Sequence, residues 1–405
     1  MSLPWRAGDL LSDEVQHHIR RQAIFRYHKW DQQVGDVATL CPFPLIVEQA
    51  VWDELAAWAE LLAAETLAAE EELLTRANLN ATLGLPPALV RHLPEFGLAS
   101  RGKARLIRFD FHLTIEGWRI SEANTDVPGG WNEASGYPEL LAPHYPGLQP
   151  VMSLAGACAT RLAEGLPPDA LVALVHATAY TDDRQAMVFL AEKLKAHRLR
   201  TCLISPEQIE WQDGAANIQT NWCHEPAALL VRYYPGEWLP NLPSASEWWN
   251  FLMKSLTPIS NPATALLTQS KRLPLVWDRL ATPMPTWRRL LPPCAEIRDA
   301  DWESAEDWIA KPALGRVGHG IGLRECLSAK EWDEVRKSVR SDPRQWVAQR
   351  RFETVPLGTP QGEGHPCLGI YTIDGKVSGA YGRIAARPLI DNQARDIAVF
   401  IAPSI

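Results

Sequence analysis

The order of apolar and polar positions predicts one long helix near the start of the chain and alternating strands and helices further along. Residues 45 to 76 are rich in alanine, leucine and glutamate and contain no proline or glycine, which predicts helix. The leucine and tryptophan stripe of this helix is expected to face the core. Residues 282 to 294 are rich in proline instead and predict a turn-rich connection.

The middle of the chain alternates between strand and helix patterns. The apolar run LVALVHAT begins at Leu171, a helical stretch follows as far as Ala196, and the apolar run LRTCLIS comes next. A further apolar run, ALLVRYYP, spans residues 228 to 235. Strand, helix and strand in that order favour a parallel sheet, so a Rossmann-like layer is predicted here. Asp182 and Asp183 stand where acids favour a helix start, and we interpret them as first-turn residues rather than catalytic ones.

Strand-like alternation also marks residues 108 to 126, RFDFHLTIEGWRISEANTD, but this stretch carries polar side chains that a buried sheet rarely keeps. These side chains are Arg108, Asp110, Glu122 and Asn124. Opposed residues of an antiparallel pair share a face, so a three-residue loop at 115 to 117 would bring all four together, with acid opposite acid and arginine opposite asparagine. A two-residue loop at Glu116 and Gly117 would send the acids to opposite faces. The sequence permits both loops.

Either loop leaves an apolar face behind the polar one. The apolar face would carry Ile107, Phe109, Phe111 and Leu113. Burial of these side chains would hold the strand in place, so the polar face is expected to be wet and free for chemistry.

The polar face predicts a metal site. Two facing carboxylates repel each other, so their pairing is costly unless a cation lies between them. Magnesium suits an aspartate, a glutamate and an asparagine carbonyl together, because it takes oxygen ligands and keeps positions for water or phosphate oxygens. Arg108 would then be free to bind a phosphate or acyl phosphate through two hydrogen bonds. The alternative is an exposed sheet face with ordinary surface charge pairs.

A glycine-rich loop is a second indication of phosphate chemistry. In WIAKPALGRVGHGIGL, residues 308 to 323, an apolar strand ends near Lys311 and runs into glycines whose backbone can close over an anion. The glycines are Gly315, Gly318, Gly320 and Gly322. The stretch is neither a P-loop nor a dinucleotide-binding fingerprint, and an ordinary flexible turn would also explain it. A strand ending at Gln349 and a hairpin with an Asp-Gly turn follow, and Arg383 is placed just past the second arm.

Composition narrows the class of protein. A chain of 405 residues exceeds the roughly 100–200 residues of one ordinary domain, so two or three folding units are expected. No apolar run approaches the roughly 18 residues that span a membrane, and the N-terminus lacks the apolar segment of a secretory signal. The seven scattered cysteines include no C-x-x-C pair, which fits reduced thiols in the cytoplasm. A formal net charge of -8 argues against nucleic acid as a partner and favours small-molecule substrates.

Together these residues resemble the synthetase domain of glutathionylspermidine synthase and its stand-alone relatives, which are ATP-grasp carbon–nitrogen ligases. The resemblance runs from KWDQQVGDVATL, which begins at Lys29, to LIDNQAR, which ends at Arg395. Its most specific part is R-x-D followed by E-x-N on the hairpin. The metal ligands that the resemblance implies are Asp110, Glu122 and Asn124. It also implies that Arg108 stabilises the phosphoryl-transfer state and that Asp110 is catalytic through the metal.

The resemblance implies roles for residues outside the hairpin as well. The implied ATP contacts are Lys271 in SKRLPLVW, Lys311, the glycine loop with Gly315, Gly318 and Gly320, and Gln349 on the adenine side. Arg383 is implied as a catalytic arginine that reaches phosphate. Glu237, in VRYYPGEWL, is implied as a contact of the acceptor substrate. No amidase region precedes the synthetase region, so a stand-alone member is expected.

The chain departs from the family pattern at several positions. Gly236 stands where the family has tryptophan, Val317 stands where it often has glutamate, and RIA replaces the usual IRE after the last hairpin. Asn392 and Arg395 match the closing segment only in part. The identity of the acid and the amine, including whether glutathione or spermidine is used, is therefore left open.

The expected fold is α/β (α+β), with an ATP-grasp-type catalytic core and a Rossmann-like pre-ATP-grasp layer. The expected ranges are 1–165 with the metal-binding hairpin, 166–262 as a Rossmann-like substrate-side domain, and 263–405 as the ATP-binding lobe. The expected activity is ATP- and magnesium-dependent amide formation between a small acid or peptide and an amine, through an acyl phosphate. With Asp110 on a wet face, alanine there should abolish ATP turnover without unfolding. The alternatives are a nucleotide-binding scaffold without ligase activity and a phosphotransferase.

Overall fold

The computed structural model describes residues 3–93, 103–252, 255–304, 306–315 and 320–403. Its α-helices are α1 (Asp13–Tyr27), α2 (Gln49–Thr75), α3 (Ala77–Asn80), α4 (Pro87–His92), α5 (Trp131–Leu141), α6 (Leu154–Ala163), α7 (Thr181–Ala196), α8 (Leu266–Gln269), α9 (Pro285–Leu290) and α10 (Ala329–Ser341). Its β-strands are β1 (Trp5–Ala7), β2 (Gln33–Val34), β3 (Val37–Ala38), β4 (Leu45–Glu48), β5 (Leu106–Thr114), β6 (Gly117–Asn124), β7 (Gln149–Pro150), β8 (Leu171–Val175), β9 (Arg200–Ile204), β10 (Ile209–Gln212), β11 (Ala215–Gln219), β12 (His224–Pro226), β13 (Leu229–Arg232), β14 (Ile259–Ser260), β15 (Cys294–Glu296), β16 (Trp308–Pro312), β17 (Trp346–Arg350), β18 (Leu357–Thr359), β19 (Gly362–Ile373), β20 (Lys376–Ala385), β21 (Arg395–Ile397) and β22 (Val399–Ala402).

The middle of the chain forms the parallel sheet that its apolar runs predict. The strand order is β14-β13-β8-β9, and each neighbouring pair is parallel. Helix α7 connects β8 to β9 and buries Leu190 and Leu194 completely. Asp182 and Asp183 lie in the first turn of α7, where acids favour the positive end of the helix dipole. The Rossmann-like layer is confirmed.

The largest sheet within the described ranges has six strands and joins distant parts of the chain. Its path is β21-β20-β19-β5-β6, and β18 pairs with β19. Ile107, Phe109 and Phe111 of β5 are fully buried and share one core cluster with Leu55 and Leu62 of α2. Each such side chain stabilises the fold by about 1.5–3 kcal/mol. The apolar reverse face of the hairpin and the long helix are thus confirmed, although the four residues before Gln49 form β4 instead of helix.

The hairpin of β19 and β20 turns through two residues, as predicted. Asp374 and Gly375 have φ values of 49° and 82°, the left-handed geometry that a two-residue turn favours. Arg383 lies within β20 and not past it, because the strand continues to Ala385.

A smaller antiparallel sheet, in the order β15-β17-β16, carries Lys311 on β16 and Gln349 on β17. Helix α10 covers it, and Trp332, Val335 and Val339 of the helix pack in one cluster with alanines of the sheet. The sheet therefore presents the predicted nucleotide-side residues on a rigid support.

The proline-rich stretch contains a short helix, α9, where turns alone were predicted. Pro285 occupies the helix start, where its missing N–H is no loss. The carboxylate of Glu65, on α2, accepts hydrogen bonds from the backbone N–H groups of Thr286 and Trp287, at 3.0 and 3.1 Å. This tertiary cap explains why the segment is helical, and local sequence could not reveal it.

The first and last segments meet in a sheet of order β1-β4-β22-β7. The three predicted ranges stay predictions; two sheets combine strands from the first range with strands from the last. All seven cysteines lie in the described residues and carry free thiols. Within the described ranges, each helix is too short or too polar to cross a membrane.

Candidate active site

The turn between β5 and β6 has two residues, Ile115 and Glu116, because Thr114 pairs with Gly117. The two predictions were a three-residue loop at 115 to 117 and a two-residue loop at Glu116 and Gly117. Both are therefore wrong. The Thr114 hydroxyl donates to the Gly117 carbonyl oxygen at 2.6 Å, and Gly117 has a φ of 95°. A side chain with a β-carbon is strained at this φ, so glycine suits the position.

A β-bulge restores the predicted convergence. With the observed turn alone, Glu122 and Asn124 would lie on the face opposite to Arg108 and Asp110. The register shifts by one residue between Phe109 and Phe111, so Arg108 pairs with Asn124 beyond the shift. The extra residue on β6 brings the four polar side chains to one face, and the bulge rather than the turn produces the cluster.

The four polar side chains of the hairpin are hydrogen-bonded to one another. Arg108 Nε and Nη2 donate to the two carboxylate oxygens of Asp110, at 2.7 and 2.9 Å. Asn124 Nδ2 donates to Asp110 Oδ2 at 3.0 Å and to Glu122 Oε1 at 3.5 Å. Asp110 is only 8% exposed, so the expected wet face is wrong: the carboxylate lies at the buried base of a cleft.

Two lysines from the C-terminal part of the chain, Lys271 and Lys311, reach the hairpin. Lys271 Nζ lies 2.8 Å from Glu122 Oε2 and donates to the Gly315 carbonyl oxygen at 3.0 Å. Lys311 Nζ donates to the Ser121 carbonyl oxygen at 3.0 Å. With the hairpin arginine, three cations therefore meet two carboxylates, and the positive surplus fits an anionic ligand.

The charges of this group are shifted by burial and by one another. Burial raises the pKa of Glu122, but the ammonium groups of Lys271 and Lys311 outweigh it and lower that pKa to about 2. Burial lowers the pKa of Lys311 to about 8, and Glu122 offsets only part of this. Burial, with help from Lys311, lowers the pKa of His112 to about 3, so this cleft residue is neutral. Glu122 is ionised and Lys311 titrates near physiological pH.

The glycine-rich loop follows β16, and its described far end pairs with β16 again. Gly322 N donates to the Ala310 carbonyl oxygen at 2.8 Å, and Gly315 lines the cleft. Gly320 has a φ of 75° and lies off the cleft lining. Gly318 lies outside the described residues.

Gln349 lies beside the cleft rather than on its lining. Its side chain is 3% exposed, and its Nε2 donates to Cys294 Sγ at 3.6 Å. Its Oε1 has no hydrogen-bond partner among the described residues. A buried acceptor without a partner costs about 1–3 kcal/mol, so this oxygen fits the acceptance of an N–H group from a ligand.

One cleft of about 410 Å³ collects the hairpin, Lys311, Gly315, Arg383 and Glu237. This volume is typical of small-molecule sites. One part of its wall is apolar and consists of Ile309, Ile321, Leu323, Phe352 and Leu389. Sequence patterns did not single out this wall, because isolated apolar residues on separate segments carry no motif.

Arg383 and Glu237 enter the cleft from other elements. Arg383 Nη2 donates to the backbone carbonyl oxygens of Asp391 and Ala394, at 2.7 and 3.0 Å. Glu237 belongs to the 3-10 turn Gly236–Asn241. A β-carbon at Gly236 would lie 2.7 Å from Leu266 Cδ1, so the departure from tryptophan at this position has a packing reason.

A second charged cluster in the cleft was not predicted. Lys29 Nζ forms ion pairs with Asp31 at 2.8 Å, with Asp396 at 3.1 Å, and with Glu133. Burial raises the pKa of Glu133 to about 7 despite its contact with Lys29, and Asp396 and Asp31 add to the rise. The only sequence signal was the segment KWDQQVGDVATL, which contains the lysine and its nearest acid.

The hairpin fits magnesium by the chemistry of its donors. Within the described ranges, no three His, Cys, Asp or Glu side chains group together as a metal site. The hairpin offers a smaller set, Asp110, Glu122 and Asn124, in which the amide nitrogen faces both carboxylates. Carboxylate and amide oxygens are ligands that Mg²⁺ prefers, and it commonly completes its shell with water and phosphate oxygens. By the chemistry of its donors, the set is therefore compatible with Mg²⁺.

A family model and one solved structure agree with this architecture. The family model described as "Glutathionylspermidine synthase preATP-grasp" matches residues 16–402. A glutathione synthetase-like effector from Globodera pallida, in its apo form, covers 96% of this chain and 98% of its own, with a TM-score of 0.64 and 12% identity. A putative gamma-glutamylcysteine synthetase from Methylobacillus flagellatus covers 82% of this chain and 88% of its own, with a TM-score of 0.43 and 14% identity. No curated protein sequence matches the chain. The expected ATP-grasp-type α/β fold is confirmed.

Proposed function

Because the chain belongs to the glutathionylspermidine synthase preATP-grasp family, we propose that it is an ATP-dependent ligase that joins a carboxylate to an amine through an acyl phosphate. One observation carries the proposal: two carboxylates, an amide and three cations converge at the hairpin. Phosphoryl transfer needs such a group, because its catalysis consists of positioning phosphates and neutralising their charge. The role as a ligase follows from the family, and the acid and the amine are left unassigned.

The nucleotide occupies the side of the cleft next to the smaller sheet. Lys271 and Lys311 bind the phosphates of ATP, and Gly315 lies beside them. The adenine ring packs on the apolar wall, and Gln349 Oε1 accepts a hydrogen bond from its amino group. This role gives the orphan oxygen of Gln349 the partner that it lacks among the described residues.

The hairpin and Arg383 act on the reacting phosphate. Asp110, Glu122 and Asn124 would hold Mg²⁺, which when bound neutralises phosphate charge. A carboxylate oxygen of the acid attacks the γ-phosphorus, the bond to the bridging oxygen breaks, and ADP leaves. Arg108 and Arg383 meet the charge that develops in this step.

The second step joins the amine. The amine nitrogen attacks the acyl carbon, the bond to phosphate breaks, and the amine gives up a proton. Glu237 lies on the acceptor side of this reaction. The cleft walls exclude water, which would otherwise hydrolyse the acyl phosphate.

The test of this proposal is the release of ADP and phosphate from Mg-ATP in the presence of fractionated small acids, peptides and amines. Release that requires both an acid fraction and an amine fraction is expected, and mass spectrometry then identifies the product. ADP release with an acid alone and a stable phosphorylated product would identify a phosphotransferase instead. ATP binding without release in any fraction would contradict the ligase and favour a nucleotide-binding scaffold.

The affinity for Mg-ATP is expected to fall as the pH rises through about 8, the pKa of Lys311. A bound polyphosphate stabilises the ammonium form of Lys311 and raises its pKa. Binding is therefore strongest where Lys311 is already protonated, and it weakens as the pH rises above the pKa of the free protein. The loss should approach about tenfold per pH unit. Calorimetric titration at neutral and alkaline pH measures it.

Arginine at position 311 stays charged over this range, so Lys311→Arg should flatten the pH dependence. Lys330→Arg, at a surface lysine whose side chain is 88% exposed, serves as the matched control and should leave the dependence unchanged. An equally steep fall in affinity with pH in Lys311→Arg would assign the titration to another group.

A further inference from the structure

The guanidinium group of Arg108 lies beside two tyrosine rings. Its Cζ atom is 5.8 Å from the centroid of the Tyr371 ring and 5.3 Å from that of the Tyr381 ring. Its Nη1 donates to the Gly129 carbonyl oxygen at 3.0 Å, and the Tyr371 hydroxyl donates to the same oxygen. The guanidinium also donates two hydrogen bonds to Asp110. Hydrogen bonds along its edge and contacts with the two aromatic rings therefore hold it in place.

The hydroxyl group of Tyr381 is itself fixed by a hydrogen bond. Its hydroxyl donates to Asp396 Oδ1 at 2.6 Å, and Asp396 Oδ2 lies 3.1 Å from Lys29 Nζ. Asp396 is 5% exposed, and Lys29 supplies a counter-charge for this buried carboxylate. Burial and the Asp396 carboxylate raise the pKa of Tyr381 well above its ordinary value, so the hydroxyl keeps its proton and donates.

The backbone at Gly130 lies close to both tyrosine rings. A β-carbon at Gly130 would lie 2.8 Å from Tyr381 Cδ1 and 2.9 Å from the Tyr371 hydroxyl oxygen. Gly130 has a φ of 89°, which glycine adopts without strain. The Tyr381 ring therefore packs against the backbone at the N-terminus of α5, which limits its movement on that side.

We propose that Tyr381 is a positioning residue that holds Arg108 in the orientation needed for phosphoryl transfer, and that Asp396 and Lys29 fix Tyr381. This inference rests on the proposed ligase function. An arginine side chain has many rotamers, and restricting it to one of them costs conformational entropy. If the side chain is ordered before the reaction, this cost does not add to the activation free energy. Contact between a guanidinium and an aromatic face supplies the attraction that keeps it ordered.

The test compares the affinity for Mg-ADP with and without aluminium fluoride, which mimics the transferred phosphoryl group. Calorimetry measures both affinities. Aluminium fluoride should tighten Mg-ADP binding to the unmodified protein, because Arg108 meets the added charge. Tyr381→Leu should lose about tenfold of this tightening, and Tyr381→Phe, which keeps the ring, should lose about threefold. The affinity for Mg-ADP alone should stay within about twofold in both variants.

Tyr145→Phe is the matched control, since the Tyr145 hydroxyl also donates a 2.6 Å hydrogen bond, to Asp9, but lies outside the cleft lining. It should behave as the unmodified protein does. Full tightening in Tyr381→Leu would overturn the positioning role, and an equal loss of affinity with and without aluminium fluoride would reduce Tyr381 to a structural residue.

A second measurement separates this inference from the proposed function. If aluminium fluoride fails to tighten Mg-ADP binding to the unmodified protein, the proposed function fails. The positioning role is then decided by the ¹⁵N–¹H resonance of Arg108 Nε, which is identified by its loss in Arg108→Lys. A shift of this resonance towards the value of a free arginine in Tyr381→Leu supports positioning, and an unmoved resonance rejects it.

Discussion

Replacement of Asp110 by asparagine is expected to lower ATP turnover by about a thousandfold while the protein stays folded. The carboxylate accepts two hydrogen bonds from Arg108 and one from Asn124, and it belongs to the donor set that fits magnesium. Asparagine keeps the volume and one acceptor but removes the charge that pairs with the arginine and that a bound Mg²⁺ would need. Steady-state kinetics measure the ATP turnover of the variant, and thermal unfolding shows whether it stays folded.

Asparagine is a sharper replacement here than alanine. The side chains of Asp110 and Arg108 are 11% and 12% exposed, so alanine would leave a nearly buried guanidinium without its partner. Loss of one partner from a buried pair costs about 3–5 kcal/mol, and the alanine variant would mix unfolding with lost chemistry. Asp278→Asn, at an aspartate that pairs with Arg288 on the surface, is the control. Normal turnover in Asp110→Asn would remove the hairpin from the mechanism.

Replacement of Gly369 by alanine is expected to lower turnover at least about a hundredfold, because the glycine provides the space that the Arg108–Asp110 pair occupies. Gly369 stands directly opposite Asp110 on the neighbouring strand. A β-carbon there would lie 2.7 Å from Arg108 Cδ and 2.9 Å from Asp110 Oδ1. The side chains of Arg108 and Asp110 must then shift, which is expected to disturb their pairing although neither residue has been changed. Turnover and the aluminium fluoride effect on Mg-ADP binding would fall together.

The matched control is Gly358→Ala on β18, the strand next to β19. A β-carbon at Gly358 meets no atom within 4 Å, so alanine should be accepted without loss of turnover. Thermal unfolding of both variants separates local displacement from general destabilisation. Equal turnover in Gly369→Ala and Gly358→Ala would show that the arginine–aspartate geometry is not needed.

Much of the fold could be predicted from the sequence because its signals are local. Helix α2 has an uninterrupted helical composition, and the strands of the parallel sheet are short apolar runs. The turn at Asp374 and Gly375 needs left-handed backbone geometry, which the Asp-Gly pair supplies. Helix α9 escaped prediction because its cap comes from Glu65, more than two hundred residues earlier in the chain.

The candidate site could be predicted where its residues belong to a recognisable motif. Arg108, Asp110, Glu122 and Asn124 carry a motif, but the bulge in the pairing of β5 with β6 that brings them together has no signature of its own. The cluster around Lys29 draws on three distant segments, and burial of its charges is a product of the completed fold. Gly369 likewise has a role only through the side chains that it faces.

The measurement that tests the central claim most directly follows ¹⁸O from the carboxylate of an acid substrate into the released phosphate. The account predicts that each phosphate carries one ¹⁸O atom, because the carboxylate oxygen attacks the γ-phosphorus and leaves with the phosphate when the amine adds. The unmodified protein should show this transfer with ADP release, and Asp110→Asn should show neither. ADP release with phosphate that contains no ¹⁸O would mean that water attacks ATP directly, and it would contradict an acyl-phosphate ligase.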